Sequence, residues 1–186
     1  LEEVLKYKRF ISNGGVTVTG GEPLLQSVFL KEFFKLCQSE GIHTALDTSG
    51  SITSSAAFDL LEYTDLVLLD IKAIDAQLHK HLTGARIDKP LAFLNHLQDI
   101  GKDTRVRHVV VPDLTYDVAQ LEKLANYLTQ FSVIKKVELL GYHLMGVSKY
   151  EELGMEYALK DTDALSAEQL SVAEKIFSSK GLPIRE

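Results

Sequence analysis

Gly14-Gly15-Val16-Thr17-Val18-Thr19-Gly20-Gly21-Glu22-Pro23 decides how the rest of the chain is read. Val16 to Thr19 are β-branched, alternate in polarity and lie between two glycine pairs, which predicts a short strand. Gly20 and Gly21 follow at once, where the backbone must turn or let a ligand come close. Pro23 suits the first turn of a helix, where its missing N–H would have had no partner. No Lys-Ser or Lys-Thr follows the glycines, and the spacing is not G-x-G-x-x-G, so the phosphate loop and the dinucleotide fingerprint are both absent. A tight turn and a backbone contact to a ligand both remain open on this local pattern.

Downstream, Leu25, Phe29, Phe33, Leu36 and Cys37 recur at helical spacing and predict a helix over 24–40, closed by Gly41. A strand over 43–50 ends in Asp47-Thr48-Ser49-Gly50, and a helix is expected over 55–63. Leu66-Val67-Leu68-Leu69-Asp70-Ile71-Lys72 is an almost unbroken apolar run with its charges at the far end, as expected of a strand buried on both faces of a parallel sheet. Helices over 75–82 and 90–100, a strand over 105–112, a helix over 115–131 and a strand over 137–143 come next. An irregular stretch over 144–164 leads to a last helix, from an N-cap at Ser166 with Gln169 placed for a capping box, to Gly181. Upstream, residues 1–11 read as an amphipathic helix with Leu1, Val4, Leu5 and Lys8 on one face. It starts without a Met or an N-cap residue, as expected of a piece of a longer protein.

Strand and helix thus alternate five times. That order implies an α/β fold with a parallel sheet and right-handed crossovers, either an open doubly wound sheet or part of a β/α barrel. The 186 residues suit one domain at 45% hydrophobic and 25% charged. A net charge of -6 without a Lys/Arg block argues against nucleic acid as a partner. No apolar run is long enough for a membrane span, no signal peptide is present, and the single cysteine, Cys37, allows no internal disulfide. Cytoplasm is the expected compartment.

The unusual residues cluster by position. Gly20, Gly21 and Glu22, then Asp47, Thr48 and Ser49, then Asp70 and Lys72, then His143 all fall at C-terminal ends of predicted strands, which share one rim in parallel α/β folds. Asp47 alone could cap a turn. Asp70 and Lys72, two residues apart, face the same side; against a structural salt bridge, the otherwise apolar strand favours a site for a charged ligand such as an amino acid zwitterion or a ribose hydroxyl. Of the six histidines, His79, His81 and His96 are expected on solvated helix faces, and His43 and His108 as satisfied core or rim residues. His143 is the one placed for a site. Cys37 reads as a packing residue.

Val16-Thr17-Val18-Thr19-Gly20-Gly21-Glu22-Pro23-Leu24-Leu25-Gln26 resembles the Gly-Gly-Glu motif of radical S-adenosylmethionine enzymes. Leu46-Asp47-Thr48-Ser49-Gly50, Leu69-Asp70-Ile71-Lys72, Val109-Val110-Val111-Pro112 and Leu139-Leu140-Gly141-Tyr142-His143 are similar, in order, to later strand-end motifs of the glycyl-radical-enzyme activases, pyruvate formate-lyase activating enzymes among them. The segment 150–157 resembles their tail. The resemblance implies a partial TIM-type barrel, (β/α)6 in the full protein, of which strands two to six are present here, in one core domain over 1–186 that lacks the first strand and the cluster loop.

Its further implications concern chemistry. S-adenosylmethionine and a 4Fe-4S cluster would be the cofactors. Gly20, Gly21 and Glu22 would receive the methionine end, Asp70, Ile71 and Lys72 would line the site with Lys72 and Asp47 near the methionine carboxylate or a bound cation, and His143 would approach the ribose or adenine. Asp47, Thr48 and Asp70 could hold a monovalent cation. Reductive cleavage to a 5′-deoxyadenosyl radical would abstract hydrogen from a backbone glycine of a partner glycyl-radical enzyme, expected to be formate acetyltransferase. A flavodoxin or ferredoxin-type protein would donate the electron, and the enzyme would be a monomer. The C-x-x-x-C-x-x-C loop that supplies cluster thiolates is absent from these residues, so no catalytic or cluster ligand is expected here and the chain alone is expected to be inactive. Two rivals are a Schiff-base barrel lyase or aldolase using Lys72 and a partner-binding module without chemistry.

Overall fold

Five strands lie side by side in chain order, all parallel: β1 (Gly15–Val18), β2 (His43–Thr48), β3 (Leu66–Asp70), β4 (Thr104–Val110) and β5 (Ile134–Gly141). They come from a computed structural model that describes residues 1–146, 150 and 152–184. Residues 147–149 and Glu151, within the stretch read as irregular and partly within the tail motif, lie outside the described residues. A doubly wound sheet reverses its strand order at a switch point. This sheet never does, and unreversed order is that of a barrel wall. β1 pairs only with β2 among the described residues, so the wall is open there.

The connections are helical: α1 (Glu2–Lys6) precedes β1, then α2 (Ser27–Ser39), α3 (Ser55–Leu60), α4 (Ala76–Thr83), α5 (Asp88–Asp99), α6 (Val118–Leu128) and α7 (Ala167–Ser179). Their caps follow the local sequence. Ser54 accepts from Ala57 N–H, Asp75 from Gln77 and Leu78 N–H, and Asp117 from Gln120 N–H. Ser166 and Gln169 form the expected reciprocal capping box. Gly15 allows β1 to approach β2, since a Cβ there would lie 2.0 Å from the His43 carbonyl oxygen.

The helices cover one face of the sheet, and the core lies between them. Leu46, Val67, Leu69, Val106, Val110 and Val137 from the strands meet Phe34, Phe93, Leu97, Leu121, Leu124 and Phe177 from the helices, all essentially without exposure. Along β3 and β4 burial alternates strictly, so every second side chain lies on the other, half-open face. The reading of 66–72 as buried on both faces is therefore corrected. Leu66, Leu68 and Asp70 face the concave inside of an incomplete barrel, where they are half-buried.

Two helix readings also change. The predicted helix over 1–11 shortens to the five residues of α1, none of them buried, because its apolar face meets no buried partner. Within 24–40, a 3₁₀ turn over Pro23–Gln26 precedes α2, and the buried stripe is Leu30, Phe34 and Cys37, while Leu25, Phe29 and Leu36 stay exposed. The segment carries two apolar stripes, and the sheet takes the one with i, i+4, i+7 spacing.

Candidate active site

The C-terminal ends of β1, β2 and β3 are tied together through side chains. Gly20, with φ at 143°, makes the turn that β-branched residues would resist, and nothing lies within 4 Å of where a Cβ on Gly20 or Gly21 would stand. Their backbone therefore faces open space. Glu22 turns the other way. Its carboxylate accepts from Leu24 N–H at 3.1 Å, from Thr48 Oγ1 at 2.6 Å, and from both the N–H (3.0 Å) and hydroxyl of Ser49. One carboxylate thus caps the turn over Pro23–Gln26 and pins the tip of β2 to the glycine loop.

A second network crosses the concave face. Asp47 Oδ2 accepts from Thr19 Oγ1 at 3.0 Å, and Asp47 Oδ1 pairs with Arg107 Nη2. Arg107 Nε donates to Asp70 Oδ1 at 2.8 Å, and Lys72 Nζ donates to Asp70 Oδ2 at 2.6 Å. Asp47, Asp70 and Arg107 are each only about a fifth exposed, at 19%, 21% and 20%. Burial works against the charged guanidinium, but Asp70 and then Asp47 outweigh it and hold Arg107 above its usual range. Two carboxylates and two cations leave the cluster neutral as a whole, with Lys72 its most exposed member.

Thr48, expected beside Asp47 and Asp70, is separated from them. Its hydroxyl points to the helix-covered face, where it is buried against Glu22. Ile71 is fully buried, and its backbone N–H donates to Arg107 O at 3.0 Å. His108 lies behind it: Nδ1 is 2.8 Å from Ile71 O, and since a carbonyl only accepts, Nδ1 carries the proton. Burial pushes the His108 pKa down, keeping the ring neutral. A cavity of about 170 Å³ opens beside Lys72, lined also by Leu82, Thr83, Val109, Val111 and Thr115. His143 follows β5, exposed on the same rim, with no hydrogen bond or ion pair to the Asp47–Lys72 network among the described residues.

His79 corrects an expectation. It is the buried residue of α4 rather than a solvated one, its Nδ1 has no hydrogen-bond partner, and burial lowers its pKa. Arg107 and Thr19 are site residues that the sequence reading passed over. The signal for Arg107 was present in Arg105-Val106-Arg107, where two cations at period two on a strand must share a face. Thr19 carries no comparable mark.

Comparison with known proteins places this geometry. The profile of the Radical SAM superfamily matches residues 1–126. The pyruvate formate-lyase-activating enzyme of Clostridium pasteurianum is 42% identical over 177 residues, covering 94% of this chain and 74% of that protein. That of Listeria monocytogenes is 41% identical over 186 residues, covering 96% and 75%. The chain belongs to the radical SAM superfamily, among the pyruvate formate-lyase-activating enzymes.

Solved structures agree on the radical SAM fold. A domain of pyruvate-formate lyase-activating enzyme from Bacteroides vulgatus superposes with a TM-score of 0.77 at 22% identity, covering 92% of this chain and 98% of that one. Streptococcus suis SuiB bound to S-adenosylmethionine superposes at 0.71 and 18% identity, over 99% of this chain and 41% of that one. Membership makes this an enzyme of the activase class, and it implies S-adenosylmethionine and a 4Fe-4S cluster as cofactors.

The residues present fit the first cofactor and not the second. Bare backbone at Gly20 and Gly21, a charged cluster and an apolar cavity beside Lys72 suit a molecule with a zwitterionic end and an aromatic end. A cluster needs several thiolates. Cys37 is fully buried in α2 with burial raising its pKa, and among the described residues no three His, Cys, Asp or Glu side chains are grouped to hold a metal ion.

Proposed function

We propose that Gly20, Gly21, Asp70, Ile71 and Lys72 form the S-adenosylmethionine site, and that the enzyme activates a glycyl-radical enzyme. The observation that carries it is the convergence on one rim of open glycine backbone, the Asp70–Lys72 pair and the cavity lined by Val109 and Val111. Backbone carbonyls at the glycines suit the methionine ammonium, Lys72 suits its carboxylate, and the apolar cavity suits the adenosyl group. Glu22 acts here by shaping the loop, and His143 would close on the adenosyl end from β5. Asp47 and Asp70, both already paired with Arg107, would offer a monovalent cation only their remaining lone pairs.

When bound and given one electron, S-adenosylmethionine would supply hydrogen-atom abstraction from a backbone glycine, its C5′–S bond parting into methionine and a 5′-deoxyadenosyl radical. Formate acetyltransferase is the partner we infer, with a flavodoxin or ferredoxin-type donor, in the cytoplasm, and with residues 1–186 acting as one core domain. The relatives named pyruvate formate-lyase-activating enzyme support that partner class. No helix among the described residues is long and apolar enough to cross a membrane.

Isothermal titration with S-adenosylmethionine tests the site. Binding is expected, weakened at least about tenfold by Lys72→Ala or Asp70→Asn; undiminished binding in both variants overturns the assignment. Surface plasmon resonance against immobilised formate acetyltransferase tests the partner, and absence of binding removes it. Iron and sulfide analysis after reconstitution is expected to find no stoichiometric cluster on this chain.

A further inference from the structure

We propose that Arg107 is a positioning residue that sets the rotation of both site carboxylates and so aims Lys72 at the ligand. This rests on the cofactor-site reading above and adds to it a residue of β4 that stands before the Val109–Pro112 motif. The carboxylate oxygens are divided between partners. Asp70 gives Oδ1 to Arg107 and Oδ2 to Lys72; Asp47 gives Oδ1 to Arg107 and Oδ2 to Thr19. From β4 the guanidinium reaches past β3, which holds Asp70, to β2, which holds Asp47. Its Nε and Nη2 serve one carboxylate each, held at the fixed separation of a planar fork rather than converging on one nitrogen as an ammonium's donors do.

The same stretch of β4 grips the end of β3 from three directions. Arg107 holds the Asp70 side chain on the concave face, Arg107 O accepts from Ile71 N–H in the plane of the sheet, and His108 Nδ1 donates to Ile71 O on the covered face. Lys72 is the next residue along. Its backbone origin and its counter-ion are therefore both placed by β4. Without Arg107, Asp47 and Asp70 become two like charges on one face with Lys72 as the remaining cation of their network. Lys72 would then be drawn onto both Asp70 oxygens and away from the rim, and the ligand carboxylate would lose its partner.

A lysine at 107 would keep the charge but lose the planar fork that reaches Asp70 and Asp47 with separate nitrogens, so Arg107→Lys is not conservative here. A free guanidinium ion, by contrast, could re-enter the space left by Arg107→Ala, because the site is part-open to solvent. Chemical rescue separates positioning from a general loss of packing.

The test is the S-adenosylmethionine dissociation constant by isothermal titration calorimetry, with circular dichroism confirming the fold of each variant. Arg107→Ala and Arg107→Lys are each expected to weaken binding about tenfold or more. Millimolar methylguanidinium is expected to restore affinity to Arg107→Ala alone, and urea at equal concentration is not. If Arg107→Ala fails to fold, Arg107→Lys carries the test. Full affinity in the Arg107 variants while Lys72→Ala loses it overturns the positioning role and leaves the site standing. Full affinity in the Lys72 and Arg107 variants together overturns the site and the positioning role with it. Loss that methylguanidinium and urea affect alike overturns the positioning role in favour of packing.

Discussion

The two faces of this sheet are built from the same strands and behave as different materials. On the helix-covered face, Leu46, Val67, Leu69, Val106 and Val137 pack against Phe34, Phe93 and Phe177 with almost no exposure. On the concave face, one residue along each strand, stand Asp47, Asp70, Arg105, Arg107, Lys136 and Glu138, part-exposed and paired with one another. The first face carries the stability, because burial of apolar area is the dominant favourable contribution. The second contributes little to stability, since part-exposed ion pairs recover only slightly more than they lose by desolvation. It holds fixed charges at defined positions, which is what a ligand needs. A period-two pattern lets one strand serve both purposes.

Substitutions across the two faces can break that contrast. The largest stability effect is expected for Phe93→Ala, about 3–5 kcal/mol by chemical denaturation, because a fully buried aromatic leaves a cavity the neighbours cannot close. A loss comparable to that of Arg107→Ala would erase the distinction between the faces. Glu22→Ala comes next, at about 1–3 kcal/mol, since Leu24 N–H, Ser49 N–H and two hydroxyls lose their acceptor. It is also expected to loosen the Gly20–Gly21 loop, seen as faster amide exchange there and at Ser49.

A smaller effect belongs to pH. Burial lowers the pKa of His108, and of His79, so the folded state favours the neutral ring and the unfolded chain binds more protons. Their contribution is complete above the unfolded value of about 6.5 and is lost as pH falls below it, at no more than about 1.4 kcal/mol per pH unit for each proton. Thermal unfolding between pH 7 and pH 5 should show this slope, and His108→Asn, which keeps a donor for Ile71 O, should make it shallower. An equal slope in the variant would remove His108 from the explanation. At the bottom of the scale, Lys6→Ala should leave the melting temperature unchanged, because its pairing with Glu3 is exposed at both ends.

Much of this was legible in the residues. The five strands, their polar ends and the helix cap at Ser166 follow from local pattern, since a period of two, a glycine pair or an N-cap acts within a few positions. That Asp70 and Lys72 share a face was legible too, because they stand two residues apart; that they pair with each other is what the structure adds. Arg107 was not, since its partners are 37 and 60 positions away and on different strands. Glu22 looked like a ligand contact and is turned 27 positions along the chain to Ser49. Thr48 was grouped with Asp47 although adjacent residues on a strand face opposite ways.

The amino-acid sequence by itself determined the alternation of strand and helix, the family, and which residue types stand at the rim, because these depend on spacing along the chain and on motif order. Only the tertiary structure decided that the strands keep chain order in an open wall, that one face is covered and the other charged, and that Arg107 joins Asp47 to Asp70. Those facts depend on which strands become neighbours and in what register. Register is set by burying one complete face at once, and no local stretch of sequence contains it.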